Sequence, residues 1–346
     1  MRRAAVLICV IFLLAVPVDA MEFSAPTVPK EAQRYMPDDS ENFGEGLRYV
    51  IQSAVDVVLP SMVEASGICV SLIAASVLIG LLSEVSGSVK VATNVVGIAT
   101  VGILLFQPAN SLIHLGAENV RQISQYGKLL LPVMTGALAA QGAVTKSGAL
   151  YTATVFFDAF LSSAVSTLLI PLVYIFLCVA IGGNLFDQQI LKNMRKFLKW
   201  LITWGLKTVL YIFTGYISIT GVVGGTTDAM MLKATKLTIS GAVPVVGNIL
   251  ADASEAVLVS AGMMKNAAGI YGLLAIVALW IGPFLQISIQ YVMLNITSGI
   301  CELFGTKEMS ALIKDFSTAM GQVLAMTSAV CLIFMISTIC FMKGVS

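Results

Sequence analysis

A chain of 346 residues that is 58% hydrophobic and 11% charged, with a mean hydropathy of +0.92, falls outside the soluble class, where about a quarter of residues are charged. Its net charge of +1 excludes the basic footprint of a nucleic-acid binder. Six cysteines without paired spacing and a single histidine argue against a disulfide framework, a zinc site or a His-based metal centre.

Met1–Ala20 carries Arg2-Arg3, an apolar Ala4–Val16 core, Pro17 and a small-residue end at Val18-Asp19-Ala20. That pattern reads as a secretory signal peptide, with an uncleaved anchor helix as the other reading. Either way the segment that follows lies outside. Met21 to Asn42 is polar, holds Pro26, Pro29 and Pro37, and is expected to be poorly ordered. Gly44–Val58 places Leu47, Val50, Ile51, Ala54 and Val58 at helical spacing, an amphipathic helix that Pro60 should end.

Ala65–Leu82 and Val91–Ile113 are uncharged and long enough to span a bilayer. His114, Glu118, Arg121, Gln122 and Gln125 then share one helical face, as on an interfacial helix. Leu129–Thr145 is apolar but short and interrupted by Pro132, Gly136 and Gly142, so it reads as a half-helix or re-entrant segment. Leu150–Ile181 exceeds one straight span, contains Pro171, and carries Asp158 in its first third.

Lys192, Arg195, Lys196 and Lys199 form the strongest charge cluster, cytoplasmic by the positive-inside rule. Trp200 and Trp204 suit the interface, and Leu201–Val223 spans with Lys207 inside it. Lys207 either pairs with Asp158 or snorkels to the cytoplasmic surface. Gly224-Gly225 closes that span and Thr226–Thr238 is a polar helix.

The stretch Ser240–Ile296 organises the reading. Gly241, Pro244 and Gly247 fall within seven residues, a combination that specifies a break between apolar flanks. Asn248, Asp252 and Glu255 follow at i, i+4 and i+7, one polar stripe on a half-helix Asn248–Ala261. Either the stripe faces water, a subunit or a cation at membrane depth, or the helix lies at the surface with its polar face in solvent. Ile270–Ile296 spans, Glu302–Asp315 is interfacial, and Gln322–Met342 is a final span.

Pro132-Val133 and Leu138-Ala139 recur 112 residues later as Pro244-Val245 and Leu250-Ala251, and Pro171 and Pro283 each lie 39 residues after those prolines. Interrupted apolar segments in corresponding positions point to a transport site. With both broken segments re-entrant, the basic cluster and Glu302–Asp315 fall inside and Ser346 outside, so the two units are parallel. The fold expected is therefore all-α: a polytopic helical membrane protein with broken or re-entrant helices and an internal repeat. It divides into a signal peptide at 1–20, an outside segment at 21–60, two spans and an interfacial helix at 61–128, and repeat units at 129–240 and 241–346.

No nucleophile–base–orienter set is visible, so no catalytic residue, cofactor or metal site is assigned and the chain reads as a non-enzyme. No G-x-x-x-x-G-K-[ST] loop is present, so any ATP dependence belongs to another subunit. The candidate functional, pore or packing residues are Gly241, Pro244, Gly247, Asn248, Asp252, Glu255, Pro132, Asp158 and Lys207.

The run Gly241–Gly247, with Leu250, Asp252 and Lys265-Asn266-Ala267-Ala268-Gly269, resembles the stage III sporulation protein AE family. Gly221, Thr235, Lys236, Leu237 and Leu131-Pro132-Val133-Met134 are similar to it too, and the resemblance covers roughly Met62 to Lys343. Asn248 stands where that family leads one to expect a small residue. The resemblance implies a subunit of a channel or secretion-like complex in the mother-cell membrane around the engulfed forespore. It implies other stage III subunits as partners, a separate ATPase among them, with a homo-oligomer compatible, and a requirement for forespore development. The rival reading is a stand-alone secondary transporter with its polar site in Ser240–Ala261; an intramembrane enzyme is a third.

Overall fold

The computed structural model describes residues 26–37, 43–85, 90–186, 188–242, 247–304 and 306–343; for Glu31 and residues 220–265 it describes the backbone alone. Among these residues the chain is helical almost throughout, with no strand. A short α1, Lys30–Gln33, precedes six long rods. They are α2 (Phe43–Val85), α3 (Lys90–Ala140), α4 (Val144–Ala164) continued by α5 (Ile170–Phe186), α6 (Gln189–Ala242), α7 (Gly247–Phe304) and α8 (Lys307–Met342). Among the described residues five helices are long and apolar enough to cross a membrane: α2, α3, α4–α5, Asn266–Phe304 of α7, and α8. The expected span Leu201–Val223 runs into residues whose side chains lie outside the described set.

The rods are longer than a bilayer requires. At 1.5 Å per residue the 36 residues of α8 reach about 54 Å and the 58 of α7 about 87 Å, against a hydrocarbon core of about 30 Å. Large apolar side chains stand exposed along the rods, Val70, Leu78 and Val85 on α2, Val91 and Ile103 on α3, Leu168 and Ile175, and Ile296 and Leu303 on α7 among them. A surface of this kind is that of a protein solvated by lipid.

Helix α8 sits at the centre, with more than half of its residues buried, and packs against α7, α4, α5, α6 and along α3. Its neighbours approach closely because glycines face it. A Cβ on Gly127 would collide with the Phe334 ring, one on Gly116 with Val323, and one on Gly269 would lie 2.5 Å from Met342 Cγ. Small residues at contact points are how helices associate where lipid removes the hydrophobic drive between them.

Several elements expected as separate pieces are parts of single helices. Pro60 does not end the amphipathic segment: α2 runs through it. Val91–Ile113, the His114–Gln125 polar face and Leu129–Ala140 are one helix, α3, which contains Pro108 and Pro132 without a break. The energetics explain this. A proline within a helix costs about 3 kcal/mol. Continuing past Pro132 buries Met134 and Leu138, each contributing roughly 2 kcal/mol, with Ala137 between them. The expected half-helix Asn248–Ala261 is likewise the start of the 58-residue α7.

Gly142 is where the chain does turn. Its φ of 86° is a conformation glycine adopts freely. Gly142 N–H donates to Ala139 O at 2.8 Å and Ala143 N–H to Leu138 O at 3.3 Å, the pairing that closes a helix in a Schellman motif. Pro171 is accommodated differently. A π-helical turn, Val165–Leu169, precedes it and joins α4 to α5. The buried residues Leu161, Val165, Leu169, Val173 and Leu177 recur in steps of four. A pure α-helix would drift about 40° per step, and the wider π turn keeps the stripe facing inward.

The polar N-terminal segment is also more tightly held than its composition suggests. Val28, Ala32, Tyr35 and Met36 are buried, and Tyr35 lies across Gly282 of α7, with its hydroxyl 3.1 Å from where a Cβ would stand. The signal-like Met1–Ala20 lies outside the described residues.

Candidate functional site

The organising stretch is only partly described. Gly241 lies in the last described turn of α6, which is described to Ala242, and Gly247 is the first described residue of α7; the break expected between them falls on residues 243–246, outside the described residues. Pro244 lies outside the described residues. Asn248, Asp252 and Glu255 fall on the first turns of α7, but their side chains lie outside the described residues, as do all others from 220 to 265. Pro132 is exposed on α3.

Asp158 is 1% exposed, on the face of α4 turned to α3. It does not pair with Lys207. Ser124 Oγ donates to its Oδ2 at 2.7 Å, and Lys128, one turn beyond Ser124, is near enough to act on it electrostatically. Asp158 Oδ1 has no hydrogen-bond partner. Lys207 instead lines a cleft of about 550 Å³ between α6, α7 and α8. Ser124→Ala should lower stability by about 1–3 kcal/mol because it strands a buried acceptor, whereas Asp158→Leu with Ser124→Ala should recover most of the loss. Thermal melting of the detergent-solubilised protein distinguishes the two; equal losses would mean that the pair is not the cause.

Sequence reasoning missed the interaction that ties α5, α6 and α8 together. Arg195 Nη1 pairs with Asp315 Oδ2, and Asn184 Nδ2 donates to the same oxygen at 3.1 Å while also reaching Ala180 O at 2.7 Å. Asp315 was expected on a solvated interfacial stretch; it lies instead within α8, with its side chain only 18% exposed. The reason is its helical phase. Leu312, Ile313 and Phe316 on either side are buried, so the carboxylate is drawn inward and must be matched. A signal was available: the basic cluster and Glu302–Asp315 were assigned to the same membrane side. What the sequence did not show was which acid meets which base.

Polar contacts recur across the other helix pairs. Asn119 Nδ2 donates to Leu279 O at 2.8 Å, Thr154 and Ser337 share a 2.5 Å hydrogen bond, Tyr174 OH donates to Asn110 at 2.6 Å, and Asn295 Nδ2 donates to Ser317 Oγ at 2.6 Å. Each joins two helices, the use that membrane bundles make of hydroxyl and amide side chains. On the outer face of α3, His114, Glu118, Arg121 and Gln125 line up as expected, with Arg121 bonded to Glu118. Among the described residues no cluster of His, Cys, Asp or Glu could hold a metal. Cys69, Cys178, Cys301, Cys331 and Cys340 are free thiols. The arrangement holds helices together and presents polar surfaces.

The model of the family described as stage III sporulation protein AE (spore_III_AE) matches residues 33–344. The chain is similar to stage III sporulation protein AE of Bacillus subtilis (strain 168), at 21% identity over 248 residues, which cover 72% of this chain and 62% of that protein. No solved structure matches the chain.

Proposed function

Because the chain belongs to the stage III sporulation protein AE family, we propose that it is a non-enzymatic integral membrane subunit of a stage III sporulation complex connecting mother cell and forespore. The observation that carries this reading is a family match running through nearly all of the described rods. Five helices fit for membrane crossing support it, as does a sequence without a phosphate-binding loop of its own, which leaves energy supply to a separate ATPase subunit. In this reading the complex sits in the mother-cell membrane around the forespore, and the α6–α7 junction with Gly241, Pro244 and Gly247, together with Asn248, Asp252 and Glu255, faces other subunits.

Complementation tests the proposal. A deletion strain supplied with the chain should regain sporulation and late forespore reporter activity. The chain should co-purify with other stage III subunits. Gly247→Leu and Asp252→Asn should fail to complement while reaching the membrane at normal level by immunoblot. A deletion strain that sporulates normally would refute the proposal; normal sporulation of both variants would remove the junction from it.

The orientation proposed places both ends of the chain outside the cytoplasm and the Lys192–Lys199 cluster inside. A membrane-impermeant thiol reagent applied outside should label cysteines placed at Asp39 and Ser346, above the background of the unmodified chain, and should not label one at Asn193. Labelling at Asn193 would reverse the topology.

A further inference from the structure

The cleft of about 550 Å³ between α6, α7 and α8 is built of two unlike parts. Lys199, Lys207 and Lys314 line it, and among the described residues no carboxylate does. Leu206, Leu210 and Ala325 make an apolar wall alongside. Asp315, the nearest acid on α8, bonds to Arg195 and Asn184 in the adjoining groove, which Lys199 and Lys314 also line.

A second observation points to a polar occupant. Gln322 lines it and is 6% exposed, yet neither its Nε2 nor its Oε1 has a hydrogen-bond partner. Leaving such an amide unpaired costs about 1–3 kcal/mol for each stranded group. The rim is held in place. Lys314 Nζ donates to Asn295 Oδ1, and Asn295 is fixed by Tyr291 O at 2.7 Å and Ser317 Oγ at 2.6 Å. Gly321 leaves room for the Tyr291 ring to lie across α8.

Position narrows the occupant. Lys199 and Lys207 are eight residues apart on α6, about 12 Å along its axis, so the positive charge is spread along the cleft beside its apolar wall. Trp200 and Trp204, exposed and stacked at 5.7 Å on the same helix, mark the membrane interface. A ligand with an anionic head and an apolar tail fits such a site; a wholly water-soluble anion would leave the leucine wall unused. Basic pockets between membrane helices are known to take phosphate headgroups.

We propose that the α6–α7–α8 cleft is a binding site for an anionic phospholipid, its phosphate held by Lys199, Lys314 and the Gln322 amide and its acyl chain laid along Leu206 and Leu210. The full chain, purified in dodecyl maltoside, is titrated with palmitoyl-oleoyl phosphatidylglycerol, the matching phosphatidylcholine, or inorganic phosphate, and retained lipid is counted by native mass spectrometry. Phosphatidylglycerol should be retained at least ~5-fold over phosphatidylcholine, about 1 kcal/mol of preference. Lys199→Gln with Lys314→Gln should abolish the preference, and Gln322→Leu should weaken it. Arg121→Gln, the loss of one positive charge on the outer face of α3, should leave it intact. Equal retention of the two lipids by the unmodified chain overturns the proposal without any variant having to fold. So does a preference that survives in the double lysine variant, or displacement of phosphatidylglycerol by inorganic phosphate alone, which would make the site one for a free anion.

Discussion

Asp315→Ala should be among the most damaging single changes in the bundle, lowering stability by about 3 kcal/mol, or at least ~5 °C in apparent melting temperature. The substitution removes the carboxylate that Arg195 and Asn184 share and leaves a guanidinium with its side chain only 15% exposed beside a helix core. The cost is that of an uncompensated charge rather than of a lost contact, so removing both partners should be milder than removing one. Arg195→Ala with Asp315→Ala is therefore expected to melt above Asp315→Ala alone. Thermal melting followed by fluorescence-detected size exclusion reads both. Were Asp315→Ala to melt within about 1 °C of the unmodified chain, the pair would be a surface ion pair in energetic terms, of the kind that contributes little.

Gly127→Leu is the second. A Cβ at Gly127 would coincide with the ring of Phe334, which is fully buried on α8. The ring is enclosed and cannot swing away, so α3 and α8 must separate along their contact. Overpacking of this kind costs typically 1–3 kcal/mol, and a leucine against an aromatic ring belongs at the upper end, about 3 kcal/mol. Phe334→Ala in the same chain empties the volume and should restore more than half of the loss, although Phe334→Ala alone destabilises through its cavity. Additive losses in the double variant would show that the two residues do not meet as described.

Local chemistry was well represented in the sequence. The apolar runs mark the rods, His114, Glu118, Arg121 and Gln125 do share an outer face, and Gly142 does turn the chain. Helix boundaries were read worst, because a proline is a local signal and the decision is not local. At Pro60, Pro108, Pro132 and Pro283 the helix continues, and at Pro132 the side chains buried just beyond it outweigh the missing hydrogen bond. The Asp158 assignment shows a related limit. Its burial and need of a partner were legible from its place in an apolar run, but the partner is Ser124, a residue with no charge to advertise it. Arg195 and Asp315 are 120 residues apart, and Gly127 and Phe334 are 207 apart; no spacing rule reaches that far.

The π turn at Val165–Leu169 has a consequence for chain length. Asp158 and Asn184 both point inward, one to Ser124 and the other to Asp315. They are 26 residues apart, and in an unbroken α-helix that count would set them roughly 80° apart around the axis. The extra residue in the π turn takes up about 100°, which brings them to within roughly 20° of one another. Within 165–169 the number of residues is thus a phase setting. Substitutions that keep the count leave Asn184 in register with Asp315, while a deletion of one residue there would turn Asn184 away by about 100° and release the carboxylate from one of its two donors.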